Sequence, residues 1–346
     1  MPKINYTNRI NRINRRYNPE NNVIVESRAY RDTSSDPKEV AKYVLRAMRE
    51  VDETYTNITK AAGEAVKKLL SENLTNVDYE YQGSVMTDTH IRGYSDIDLL
   101  TICNKFNHTE IFKVREALNT TWRYSPLEIA NLKDYDNFFS MYQGNSIVDL
   151  QKLRLENERI LSRTYSICDT NKPKAIKITN QHYHRDVDIV TSAWYDSLDY
   201  VLTGYDKKFR GIKIYQKDTN SETDPDYPFL SIARINDRSK LTNGRLKRMI
   251  RFLKNVRSDA DTEIKLTSFD INAICYDIPK EIYQHLNYKE IVYLLWEKLY
   301  HMWCEGKADE IKSVVGTEFV FRNKPDKVNA LKLLENEVWL IYNDLK

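Results

Sequence analysis

Apolar positions recur at helical spacing from Val40 through Val44, Leu45, Ala47, Met48, Val51, Ile58, Ala61, Ala62 and Val66 to Leu69. This pattern predicts one long helix from Asp36 to about Leu70. Asp36 is suited to cap it, Pro37 fits the first turn, and Glu39 completes a capping-box-like arrangement. A helix of that length, bent or straight, can reach across two domains. A strand is predicted near Val77–Gln82, a turn at Gly83-Ser84, and a second strand carrying Asp96-Ile97-Asp98-Leu99-Leu100. Asn145–Arg163 reads as a helix. Lys174–Thr179 and Asp186–Thr191 read as strands joined by the polar hairpin Asn180-Gln181-His182-Tyr183-His184. Beyond Trp194 the spacing turns helical, at Gly244–Asn255, Ser268–Tyr276, Tyr288–Cys304 and Val328–Tyr342, after a turn-rich link at Asp218–Pro228. The expected class is α+β: residues 1–200 form a strand-and-helix half led by the long helix, and residues 201–346 form a mostly helical half.

Composition narrows the function classes. The 346 residues, 41% hydrophobic, suffice for two domains or one large one. The net charge of +3 does not argue for nucleic-acid binding. Arg9, Arg12, Arg15 and Arg16 lie in an Asn- and Arg-rich stretch, residues 1–33, read as a solvated arm or an extended segment in preference to a polyanion contact. The absence of an 18-residue apolar run gives no membrane span, and Met1-Pro2-Lys3-Ile4-Asn5 offers no secretory h-region, so a cytoplasmic protein is expected. Cys103, Cys168, Cys275 and Cys304 are too scattered for a zinc knuckle and read as buried or semi-buried thiols. His182 and His184 have no third ligand spaced for a metal, and Trp296, Trp303 and Trp339 read as core.

The chemistry lies in the carboxylates. Asp96 and Asp98, two apart on a strand, share a face with Cα atoms about 6.7 Å apart. That spacing suits a pair of divalent ions about 3.5–4 Å apart, as used for in-line displacement at phosphorus. The Gly83-Ser84 turn upstream offers backbone N–H groups and a hydroxyl to a phosphate. A third carboxylate is needed, and Asp186 and Asp188 share a face on a later strand. Asp188 is preferred because the apolar strand continues beyond it. Asp-x-Asp alone is a weak signal; the Gly-Ser turn and the later Asp-apolar-apolar strand make it specific.

Gln82-Gly83-Ser84, eleven residues, then Asp96-Ile97-Asp98-Leu99 is similar to the signature of the DNA polymerase β-like nucleotidyltransferases. More narrowly, the chain resembles the bacterial CD-NTases, cyclic-oligonucleotide synthases of anti-phage defence. The supporting stretches are His184-Arg185-Asp186-Val187-Asp188-Ile189-Val190, Gly211-Ile212-Lys213-Ile214-Tyr215, Tyr227-Pro228 and the basic run Gly244–Lys254. Related strands often carry a proline where this chain reads Thr191-Ser192.

The resemblance implies a mixed sheet with flanking helices and a helical domain closing the cleft. It implies Mg²⁺, with Mn²⁺ as a substitute, held by Asp96, Asp98 and Asp188, and ATP, GTP or other nucleoside triphosphates as substrates. Gly83 and Ser84 would meet the nucleotide, Lys254 the triphosphate, Ser268 a phosphate, and Phe269 would stack on the donor base. The implied product is a cyclic di- or trinucleotide sensed by a separate effector, made by a monomer needing no nucleic-acid activator, since the clustered Cys and His of a zinc thumb are lacking. Asn343-Asp344-Leu345-Lys346 lacks the terminal small residue that some relatives present for conjugation. The alternatives are an enzyme making linear oligonucleotides or adenylylating another acceptor, and an inactive nucleotide-binding scaffold.

Overall fold

A computed structural model describes residues 4–17, 38–93 and 96–346. In chain order the elements are α1 (Tyr6–Tyr17), α2 (Glu39–Met48), α3 (Glu53–Ser71), β1 (Val77–Gln82), β2 (Ile97–Thr109), α4 (Ile111–Asn119), α5 (Pro126–Phe138) and α6 (Ser146–Thr164). There follow β3 (Cys168–Asp169), β4 (Ile176–Asn180), β5 (Arg185–Asp196), α7 (Leu198–Leu202), β6 (Gly211–Gln216), β7 (Ser221–Glu222) and α8 (Pro228–Leu241). The last are α9 (Arg245–Asp259), α10 (Ser268–Asp277), α11 (Lys280–Tyr283), α12 (Tyr288–Cys304) and α13 (Pro325–Leu345).

Two compact units result, each assembled from separated segments. One gathers the described residues of Met1–Val51 and Thr87–Ser95 with Arg234–Lys346; the other takes Asp52–Met86 and Asp96–Ala233. This division falls inside α8 and not at residue 200, and it assigns α1 and α2 to the helical unit. The single long helix expected from Asp36 is two helices. Arg49 is extended (ψ 146°), and Asp52 restarts the chain as an N-cap, its carboxylate accepting from the Tyr55 amide at 2.8 Å. The periodicity ran through this break because Val51 and Tyr55 are buried on either side of it. Asp36 and Pro37 lie outside the described residues.

In the α+β unit the sheet runs β1-β2-β5-β4-β3. β6 pairs with the second half of β5, and β7 with β6. β2 and β5 are parallel and the other pairs antiparallel, so the sheet is mixed. Gly211–Tyr215, one of the stretches that carry the resemblance, is therefore a strand. One face buries Ile97, Leu99, Ile176, Ile178, Val187 and Ile189 against Ala62, Val66 and Leu70 of α3 and Ile160 and Leu161 of α6. Alternation places Asp98 and Asp188 on the opposite face, beside Leu100 and Val190. Thr191, where related strands often carry a proline, is fully buried. With Thr101 it accepts a hydrogen bond from the Asn157 side chain of α6, at 3.3 and 2.9 Å.

Arg154 of α6 fixes the loop that leads into β4. Its buried guanidinium donates to the carbonyls of Thr170, Lys172 and Ala175 at 3.0–3.1 Å and to Glu158 at 2.8 Å, and Lys217 also meets Glu158. Arg154→Met is expected to lower unfolding free energy by about 3 kcal/mol, the lower end for a broken buried ion pair, because Lys217 still neutralises Glu158. Urea denaturation with an unchanged m-value would read this; a midpoint equal to wild type would show that the clamp contributes nothing.

The helical unit has one core, joining Ile10 and Ile13 of α1, Val40, Tyr43 and Val44 of α2, Met249 and Leu253 of α9, Leu295 of α12 and Leu334 and Val338 of α13. The N-terminal stretch expected as an arm thus contains a packed helix. Arg9 is buried and pairs with Glu337 at 2.6 Å, and Arg12 donates to the Asp259 carbonyl at 2.8 Å. The side chains of Arg15 and Arg16 lie outside the described residues. Trp296 and Trp303 are half-buried and pack against this core, and Trp339 is half-buried; Trp296 lies 4.6 Å from Trp339 between ring centres. Cys103 and Cys275 are buried and Cys168 is half-buried, but Cys304 is exposed. Among the described residues no helix is long and apolar enough to cross a membrane.

Candidate active site

Strand register assembles the acidic site. Asp98 on β2 is the partner of Asp188 on β5, and Gln82, just before the Gly83 turn, is the partner of Asp98. Neighbouring strands lie about 4.8 Å apart, so the Asp98 and Asp188 side chains leave the sheet side by side. Asp96 stands one residue before β2, not inside it. Asp186 lies one step before the Ile97–Val187 pair on β5. The next strand over, β4, places Lys177 opposite Asp188 and Thr179 opposite Asp186.

The polar contacts divide the two candidate third carboxylates. Asp186 is satisfied within the protein: Thr179 Oγ1 donates to it at 2.7 Å and Lys177 Nζ lies 3.0 Å away. Burial raises its pKa, but Thr179 and Lys177 outweigh that and hold it below the usual value. Asp188 Oδ1 is buried without a hydrogen bond, and Lys172 Nζ stands 3.6 Å off. Burial, with the Asp96 charge adding to it, raises the Asp188 pKa against the pull of Lys172. Lys177 donates to Asp96 Oδ2 at 2.6 Å. Burial would lower its pKa, but the hydrogen bonds to Asp96 and Asp186 raise it well above the ordinary value, so it is an ammonium.

Gly83 has φ +84°, and a Cβ there would fall 2.0 Å from Asp98 Oδ2. The turn therefore lies directly against that carboxylate, and Ser84 beside it is half-buried. A doubly charged cation fits this donor set. Asp188 Oδ1 accepts no hydrogen bond, Asp98 and Asp188 present hard carboxylate oxygens from paired strands, and the glycine leaves Asp98 room. As the side chains stand, no three acidic, His or Cys groups among the described residues surround a common point. Asp96 is engaged by Lys177 at 2.6 Å.

Asp96, Asp98, Asp188, Gly83 and Ser84 belong to the α+β unit; Lys254, Ser268 and Phe269 belong to the helical unit. Lys254 is 2% exposed, and its ammonium donates to the Thr89 carbonyl at 3.0 Å. Beside it on α9, the buried Arg251 donates to the Met48 and Asp88 carbonyls at 3.0 and 2.7 Å, and Lys247 meets Asp88 at 3.0 Å. The basic run is thus not simply a solvated face; it holds the segment that follows the Gly83-Ser84 turn in sequence. Ser268 opens α10 after a capping box between Thr267 and Asp270. Phe269 is 40% exposed, which excludes core packing. Sequence reasoning missed Lys177 and Lys172. The signal for Lys177 was the alternation Ile176-Lys177-Ile178-Thr179, which turns its side chain to the carboxylate face.

Comparison with known proteins agrees with this architecture. Residues 233–343 match the cGAS/DncV-like nucleotidyltransferase C-terminal helical domain. The chain is 54% identical over 345 residues, covering 100% of both chains, to a c-di-GMP synthase of Lachnospiraceae bacterium (strain RUG226). It superposes on the STING-associated CdnE c-di-GMP synthase from Flavobacteriaceae sp. with a TM-score of 0.86, 38% identity and 99% coverage of both chains. For the STING-associated enzyme from Capnocytophaga granulosa the values are 0.79, 41% and 99%. By its sequence along the whole length and by its fold, the chain belongs to the CD-NTases, the cGAS/DncV-like nucleotidyltransferases.

Proposed function

We propose that this protein joins two molecules of GTP into cyclic di-GMP, with release of two pyrophosphates. The observation that carries the reading is the 54% identity over the full chain to a c-di-GMP synthase; the carboxylate array supports the chemistry. In each of the two steps a ribose hydroxyl attacks an α-phosphorus, the new P–O bond forms, and the α–β bridging bond breaks. Asp96, Asp98 and Asp188 would hold paired divalent ions, Mg²⁺ or Mn²⁺. When bound, such ions stabilise the attacking and leaving oxygens of an in-line displacement. Asp188, whose pKa burial raises, takes the proton of the attacking hydroxyl. The Gly83-Ser84 turn presents N–H and hydroxyl donors to a phosphate. Lys254 and Ser268 are assigned to the triphosphate, and Phe269, exposed at the start of α10, to base stacking. The product is a second messenger for a separate effector, of the STING type with which the two solved relatives are associated.

The test is incubation with each ribonucleoside triphosphate, alone and in pairs, with Mg²⁺ or Mn²⁺, then phosphatase and mass spectrometry. GTP alone is expected to give a phosphatase-resistant product with the mass of cyclic di-GMP. A cyclic product has no terminal phosphate, whereas a linear one keeps a 5′-triphosphate and is trimmed. Phosphatase-sensitive products alone, or a requirement for a second nucleotide, would overturn the assignment.

A further inference from the structure

The mechanism above uses three carboxylates, yet the site has a fourth and a lysine between them. Asp186 is bonded to Thr179 and Lys177 and is not part of the ligand set. Lys177 reaches across to Asp96 Oδ2 at 2.6 Å and Asp186 Oδ2 at 3.0 Å. Its side chain is 30% exposed, so it has room to move. Asp98, Asp186 and Asp188 on one sheet face and Asp96 just before β2 repel one another, and an ammonium between two of them offsets part of that repulsion. The same ammonium takes up Asp96 Oδ2, one of the two oxygens that Asp96 would offer to a metal.

We propose that Lys177 is a resident counter-ion of the metal site. It holds Asp96 while no divalent ion is bound, and it withdraws to Asp186 when one arrives. Asp186 is thus the carboxylate that keeps the displaced ammonium beside the site, where it faces incoming phosphate oxygens. The inference rests on the metal assignment of the proposed function. It makes metal binding a competition between a divalent ion and a tethered monovalent one, so the lysine sets the concentration at which the enzyme loads.

The experiment is Mn²⁺ binding without nucleotide, read from the electron paramagnetic resonance signal of the free ion, for the full chain, Lys177→Met and Asp98→Asn. Lys177→Met is expected to bind Mn²⁺ about tenfold more tightly than the wild type. It is also expected to have a lower Tm in EDTA and a larger gain in Tm on adding Mn²⁺, since the carboxylates lose their internal cation but keep their ligands. Equal or weaker Mn²⁺ binding by Lys177→Met, with wild-type binding that Asp98→Asn abolishes, would overturn the counter-ion role and leave the metal site standing. Absence of binding by all three, or binding unchanged in Asp98→Asn, would overturn the metal site and the inference with it. A Lys177→Met protein that does not fold even in Mn²⁺ would also refute the inference, because it requires the metal to replace the lysine; Lys177→Arg, which keeps the charge, would then show whether charge alone was lost.

Discussion

Asp98→Asn is expected to leave the protein folded and to reduce product formation by at least about a thousandfold. The amide keeps the size of the side chain and its place opposite Asp188 in the strand register, so the sheet has no reason to change. What the proposed mechanism loses is one negative charge that would face the cations on the reacting phosphate. Removing a single preorganised electrostatic contact at a reacting centre commonly costs 10²–10³-fold in rate, and a shared metal ligand contributes more than one contact. Stability should move the other way. Asp98 stands beside Asp188 on one sheet face, with Asp96 two residues earlier in the chain and Asp186 two residues before Asp188. Neutralising one member of such a group relieves repulsion, so Tm in EDTA is expected to hold or rise slightly, as at other sites where function opposes stability. Asp188→Asn should match the loss of activity. Asp186→Asn, whose carboxylate is already committed to Thr179 and Lys177, should cost less than about tenfold. An Asp98→Asn enzyme at wild-type rate removes Asp98 from the mechanism, and an Asp186→Asn loss as deep as that of Asp188→Asn reverses the choice of third carboxylate.

The legible part of this protein was local. The predicted strand Lys174–Thr179 became β4 with shifts of one or two residues, and Asp186–Thr191 lies inside β5, which runs on to Asp196. The helical spacing over Tyr288–Cys304 matches α12 at both ends, and in the structure a capping box between Asn287 and Glu290 starts it. What was not legible depended on tertiary partners. The break between α2 and α3 carries no proline or glycine, so periodicity ran on through it. The N-terminal helix looked like an arm because its arginines dominate its composition, whereas its packing comes from Ile10 and Ile13 and its charge is absorbed by Glu337, far along the chain. Lys254, at the end of the basic run, is buried. Its burial follows from a carbonyl acceptor at Thr89, which no spacing rule connects to α9. The sequence preferred Asp188 over Asp186 only because the apolar strand continues beyond it; that Asp186 is hydrogen-bonded by Thr179 and paired with Lys177 depends on β4.

Gly83→Ala carries the second large expectation, a fall in activity of about a hundredfold with a loss of about 1–2 kcal/mol in stability. Two separate costs act at this position. The backbone has φ +84°, where an L-residue pays about 1–2 kcal/mol relative to glycine. The new methyl group would also lie 2.0 Å from Asp98 Oδ2 and 3.2 Å from its Cγ, so the carboxylate must rotate away. A displacement near 1 Å at a reacting group is worth about a hundredfold in rate. Gly83→Asn separates the costs. Asparagine tolerates the left-handed region better than alanine, so it should recover part of the stability, yet it carries the same Cβ and should recover none of the activity. Mn²⁺ affinity should weaken in both variants, because the ligand moved is Asp98. In an Asp98→Asn background the further loss from Gly83→Ala should shrink to the backbone cost alone, since the group it displaces no longer serves. Activity in Gly83→Ala within a few-fold of wild type would mean that the turn can shift without moving Asp98, and the close approach of glycine to carboxylate would then be incidental to catalysis.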